Sequence, residues 1–152
     1  MVNALHVSNS ILKRAFQEKI DITPMKLQKM IYFVYRDYLQ ETERALFDER
    51  FETWKFGPVL PSVYNAFRKY GANSIKEFAK ELDGKSIRIV DAEKSPIFHR
   101  IVDNIWDKCK GYDGIYLSSV THLQNTAWSK AAARRSPYLL DEDIKAEVST
   151  FG

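Results

Sequence analysis

Apolar positions recur along this chain in blocks of helical period, and the strongest block runs from Thr23 to Tyr38. Leu27, Ile31, Val34 and Tyr38 trace one face at helical spacing, while Met30, Tyr32, Phe33 and Tyr35 make the neighbouring faces apolar as well. A helix apolar on most sides is a buried one. Its start is marked three times over. Thr23 can cap free backbone N–H groups, Pro24 suits the first helical position, and Ile22 and Leu27 have the spacing of a hydrophobic staple. The pattern predicts a central core helix.

Shorter blocks flank it. Leu5, Ser8, Leu12 and Phe16 line one face of a first helix over Asn3 to Phe16 that ends near Lys19. Glu41 to Arg50 is polar and reads as a turn anchored by Leu46 and Phe47. Gly57-Pro58 breaks any regular element, because proline fixes its own φ and disfavours helical geometry in the residue before it. Pro61 can open a helix through Val63, Tyr64, Phe67 and Tyr70 that Gly71 stops. Ser74 to Leu82 aligns Ile75, Phe78, Ala79 and Leu82 as a further short helix. Ser86 to Val90 alternates as a half-buried strand would, with Phe51 to Phe56 as its best partner. Ser95-Pro96 repeats the cap-and-proline start for a helix through Phe98, Ile101, Val102, Ile105 and Trp106 to Cys109. Leu117 to Trp128 begins with a serine cap and turns Val120, Leu123 and Trp128 inward, with Ala131 to Arg135 continuing the helix up to Ser136-Pro137. Asp141-Glu142-Asp143 opens a last helix with acidic residues at its positive end. The expected fold is therefore mainly α (α+β at most), a compact helical domain around a buried central helix with a small two-stranded β element. Residues 1–152 read as a single domain.

Composition adds limits rather than an activity. The chain has 152 residues, of which 45% are hydrophobic and 28% charged, in the range of ordinary globular domains. It lacks an apolar run long enough for a membrane-spanning helix and a basic-then-apolar leader, so no membrane association is expected. One cysteine, Cys109, excludes an intrachain disulfide and suits a reducing cytoplasm. The 23 basic and 20 acidic residues are interspersed, without the clustered basic footprint of a nucleic-acid binder.

Candidate chemistry is sparse. His6, His99, His122 and Cys109 have no paired spacing for a metal, and neither a metal nor a cofactor is expected. No phosphate loop or nucleophile-elbow motif occurs. Cys109 stands beside Lys108 and Lys110, which could lower its pKa; a bystander thiol is the expectation. His122 follows Ser118 and Ser119, so a hydrolase could in principle pair the histidine with a serine. The competing reading is a histidine satisfying backbone carbonyls or packing near Trp128. Lys26 and Lys29 could meet a phosphate or an acidic partner, or form a solvated edge, which is the expected case. Trp54, Phe56, Tyr64 and Phe67 surround the Gly57-Pro58 break as core or as the anchors of a partner groove.

Four blocks, in order, carry a resemblance. Lys26-Leu-Gln-Lys-Met-Ile-Tyr-Phe33, Phe51-Glu-Thr-Trp-Lys-Phe-Gly-Pro-Val59, Pro61-Ser-Val-Tyr64, and Leu117-Ser-Ser-Val-Thr-His122 with Trp128 are similar to the signatures of the Panacea domain, the SocA-like antitoxin family. The chain departs from the pattern at Thr53, Leu123 and Ala127. The resemblance implies a non-enzymatic cytoplasmic antitoxin that neutralises a co-encoded toxin by direct contact, in a bacterial or phage toxin–antitoxin pair. It also implies an alternative, an adaptor that delivers the toxin to a ClpXP-type protease. The partner-binding residues expected on this basis are Lys29, Trp54, Phe56, Pro58, His122 and Trp128. Association of two copies stays open, and DNA binding is not expected because the chain has no room for an added domain.

Overall fold

The computed structural model describes residues 2–148. Among these described residues, seven α-helices and one small hairpin appear in the order α1 (Ala4–Glu18), α2 (Pro24–Thr42), β1 (Glu52–Trp54), β2 (Gly57–Val59), α3 (Pro61–Phe67), α4 (Pro96–Cys109), α5 (Gly114–Thr121), α6 (Ala127–Ala133) and α7 (Asp141–Ala146). A single 3-10 turn, Arg68–Tyr70, extends α3 to Gly71.

Helix α2 is the hub, as its pattern predicts. The Thr23 hydroxyl accepts the Lys26 N–H, Pro24 occupies the first turn, and both members of the staple, Ile22 and Leu27, are buried. Every residue from Lys26 to Arg36 is buried, because α1, α3, α4, α5, α7 and β2 all pack against this one helix. The helix runs one turn past Tyr38 and stops where Glu43 adopts a left-handed conformation with φ 60°. Around its middle, Tyr32, Tyr35, Phe47 and Phe51 form an aromatic cluster with ring centroids 4.9–6.0 Å apart, a spacing at which edge-on and offset contacts add to burial.

A helix enclosed on all sides must find partners for its polar residues. Tyr32 donates its hydroxyl to Glu147 at 2.7 Å and Arg36 donates to the other oxygen of the same carboxylate at 3.0 Å. Glu147 also accepts the Ala127 N–H, so one buried carboxylate ties α2, the start of α6 and the chain beyond α7 together. Lys26 is buried too, its ammonium bonded to the Lys110 carbonyl. The expected solvated edge at Lys26 and Lys29 is thus corrected: both lysines lie inside, because backbone carbonyls replace water as their acceptors.

The β element differs from its expected pairing. Strand β1 pairs with β2, not with Ser86 to Val90, in an antiparallel register that sets Glu52 opposite Val59 and Trp54 opposite Gly57. Lys55 and Phe56 alone form the tip. Gly57 makes this possible by taking φ 115°, a region that side-chain-bearing residues rarely adopt. The outer edge of β1 is covered by the chain after α6, through Thr53 N–H to Pro137 O and Leu139 N–H to Phe51 O.

Two further expectations fail for one reason. Ser74 to Leu82 is not helical, and Ser86 to Val90 is a largely exposed irregular stretch. The Asn9 side chain bonds both backbone groups of Ala79 and also the Arg88 carbonyl, while Ser10 accepts the Val90 N–H. The Ile75 N–H goes to Ile22 O. The backbone is therefore satisfied by α1 side chains and by the loop before α2, and neither a helical ladder nor a partner strand is needed. Later in the chain, α5 starts at the Asp113 cap instead of a serine, and Thr126 caps a separate α6, so Leu117 to Trp128 is two helices with a bend.

Tyr32→Ala removes a fully buried ring and a bond to Glu147; urea unfolding is expected to show a loss of about 3–5 kcal/mol, and a loss under about 1 kcal/mol would contradict the packing described.

Candidate functional site: a clamped aromatic hairpin

The six residues singled out by sequence, Lys29, Trp54, Phe56, Pro58, His122 and Trp128, come together at the β1–β2 hairpin. They meet mainly through backbone. Trp128 donates its indole N–H to the Trp54 carbonyl at 2.8 Å. The His122 Nε2 lies 2.8 Å from the Lys55 carbonyl. Ser118 donates its hydroxyl to the Phe56 carbonyl, and Lys29 donates to the Pro58 carbonyl at 3.0 Å. The Gln28 amide completes the series by pairing with both the N–H and the carbonyl of Leu60, each at 3.0 Å. Side chains from α2, α5 and the start of α6 thus hold five carbonyls between Trp54 and Leu60. The Pro58 and Leu60 carbonyls are buried and would be costly to leave unpaired, whereas the Lys55 carbonyl lies toward solvent.

Each holder sits where its helix puts it. Gln28 and Lys29 are neighbours on α2 and reach Leu60 and Pro58 side by side. Ser118 and His122 are four residues apart, the spacing that places two side chains on one helix face. The His122 ring also packs on Trp128, centroids 3.8 Å apart. Its Nδ1 lies 2.6 Å from the Ser118 carbonyl, so both ring nitrogens face carbonyl oxygens. Neutral imidazole can donate to one of them and imidazolium to both. Gly57 has no room for a side chain here: a Cβ would lie 2.6 Å from Thr121 Oγ1 and 3.1 Å from the Lys29 amine. The glycine is needed for its conformation and for this close approach.

The expected alternative, a serine–histidine hydrolase, finds no assembled pair. The Ser118 and Ser119 hydroxyls donate to the Phe56 and Tyr116 carbonyls, and neither bonds to His122. Cys109 is fully buried, and burial pushes its thiol up to about 12, so the adjacent lysines do not activate it. Among the described residues no three His, Cys, Asp or Glu side chains converge on a metal-sized site.

Outside the clamp the hairpin presents its side chains. Phe56 is 56% exposed at the tip. Trp54, half-buried, packs against Tyr64 at a 60° tilt with centroids 4.9 Å apart and donates its indole N–H to Glu52. Beside them runs a groove of about 440 Å³ whose walls include Met25, Trp54, Val59, Val63 and Tyr64, with Lys29 at its lining. Burial alone drives the Lys29 amine down to about 7. Gln28, Ser118 and Thr121 were missed by sequence reasoning as members of this assembly. The signal was present: Gln28 stands between Leu27 and Lys29 in the most recognisable block, and the Ser118–His122 spacing already puts both on one face.

Residues 27–129, more than half of the chain, match the family described as antitoxin SocA-like, Panacea domain. The protein belongs to this family. It is also similar to the antitoxin SocA of Caulobacter vibrioides (strain NA1000 / CB15N), with 29% identity over 133 residues that cover 86% of this chain and 71% of the relative. No solved structure matches it. In this chain the matched range includes Gln28 and Lys29 on one side and His122 and Trp128 on the other, with the hairpin they hold between them. No helix among the described residues is long and apolar enough to cross a membrane.

Two outcomes test the clamp. His122→Ala is expected to lower stability by roughly 1 kcal/mol, since it removes the bond to the Lys55 carbonyl and the ring contact with Trp128; an unchanged melting temperature would contradict a structural histidine. The Lys29 amine has a folded pKa of about 7 against 10.5 for the ordinary group. Between these values the unfolded chain holds a proton that the folded chain does not, so stability rises with pH through that window. Relative to Lys29→Met, the wild type should gain on the order of 2 kcal/mol between about pH 7 and about pH 9; a gain on lowering the pH would reverse the account.

Proposed function

We propose that the protein is an antitoxin that neutralises a co-encoded toxin by direct protein–protein contact in the cytoplasm, as one half of a bacterial or phage toxin–antitoxin pair. Membership of the SocA-like antitoxin family over residues 27–129 carries this reading. The relative from Caulobacter vibrioides bears the same description. The form of the hairpin supports a contact function: its backbone is immobilised from inside, while Phe56, Tyr64 and part of Trp54 stay at the surface. Exposed aromatic groups on a rigid support lose little entropy on binding and are the residue types that anchor interfaces. The buried side chains of the family motifs build the support, and the exposed ones meet the partner.

Co-expression with the adjacent gene tests the proposal. Growth should be restored when this chain is present, the two proteins should co-purify, and the toxin's lifetime should not change. Absence of both rescue and co-purification would overturn the antitoxin reading. Rescue accompanied by a toxin lifetime that shortens only when a ClpXP-type protease is present would replace direct neutralisation with the adaptor mechanism.

A further inference from the structure

The groove beside the hairpin is apolar along its walls yet cationic at its charged positions. Lys29 and Lys55 are the charged residues that line it, and no carboxylate does. The nearest acid along the strand, Glu52, is engaged with the Trp54 indole. Lys29 is 1% exposed and gives one bond, to Pro58 O, although an ammonium has three donors. No acid offsets it: among the described residues Lys29 forms no ion pair, and burial is the sole cause of its lowered pKa. Thr121, which also lies against Gly57, turns its hydroxyl hydrogen to the Ser118 carbonyl. The groove therefore combines donor capacity at Lys29 with an aromatic wall in which Trp54 and Tyr64 pack at a tilt.

We infer that this groove receives a segment of the partner protein in which a large apolar side chain is followed by a carboxylate, the side chain lying against Trp54, Val63 and Tyr64 and the carboxylate meeting Lys29. The inference rests on the antitoxin reading, since it takes the partner to be a protein. Charge complementarity selects the occupant: a second copy of this groove would bring more lysine to lysine, and a purely apolar segment would leave the Lys29 donors unmatched. The volume lies toward the lower end of small-ligand sites, about 300–1,000 Å³, which suits one anchor side chain with its neighbour. A charge-assisted bond formed in such a partly dry site is stronger than one at an open surface.

The test uses the full chain and two panels of capped peptides, in which leucine, methionine, phenylalanine or tryptophan is followed by aspartate in one panel and by asparagine in the other. Binding is followed by the amide and indole resonances of the protein. At least one aspartate peptide should shift Trp54, Val63 and Tyr64 and bind about tenfold tighter than its asparagine counterpart, the worth of one charged hydrogen bond. Lys29→Met should erase that preference. Tyr64→Glu, at an exposed rim position, should weaken the aspartate peptides without depending on the Lys29–Pro58 bond, and Leu82→Ser, far out on the irregular segment, should change nothing. Equal binding of the two panels, no binding, shifts on another face, groove resonances that move with protein concentration, or acetate binding as well as the peptides would each overturn the inference. Co-expression separates the two levels. If wild type rescues and Lys29→Met and Tyr64→Glu rescue equally well, the groove is not the contact and the antitoxin reading stands; if wild type does not rescue, that reading itself fails.

Discussion

A helix buried along its middle carries polar residues into the interior, and much of the molecule is arranged to satisfy them. Gln28, Lys29, Tyr32 and Arg36 of α2 are all buried. Tyr32 and Arg36 converge on Glu147 and so fix the chain after α7. Gln28 and Lys29 point to backbone groups of Leu60 and Pro58 and so fix the hairpin. Leaving any of these groups unpaired in a dry interior costs more than a surface bond returns. The position of the hairpin is thereby specified by α2, and α5 and α6 close on it from the other side.

This division gives the hairpin two sides with different duties. Its carbonyls face inward to Trp128, His122, Ser118 and Lys29, each a donor from a helix. Its large side chains face outward or flank the groove. A loop of two residues on a three-residue pairing would be marginal alone; held at nearly every carbonyl, it becomes a rigid platform. The same argument accounts for Gly57, which allows the turn and also the approach of Lys29 and Thr121.

Much of the fold was legible in the sequence where periodicity and caps agree. The Thr23–Pro24 start, the Ile22–Leu27 staple and the amphipathic pattern through Trp106 all appear where expected. The failures share a cause. Ser74 to Leu82 and Ser86 to Val90 have local patterns of helix and strand, yet Asn9 and Ser10, about seventy to eighty residues earlier, supply their backbone partners. No local signal announces such a bond. The six residues expected to meet a partner lie together at the hairpin, but the solvated edge expected at Lys29 is a buried position, because the expectation rested on lysine being ordinarily exposed. Only the fold reveals that Pro58 O accepts a hydrogen bond from its amine.

The central claim is that Lys29 and His122 are positioned to hold the hairpin, and native-state amide exchange of Lys29→Met tests it most directly. Local opening is read separately from global unfolding by this method. The account predicts that amides of β1, β2 and Leu60 exchange faster while those of α1 keep their wild-type protection. Equal loss of protection in α1 and the hairpin, or an unchanged hairpin, would contradict it.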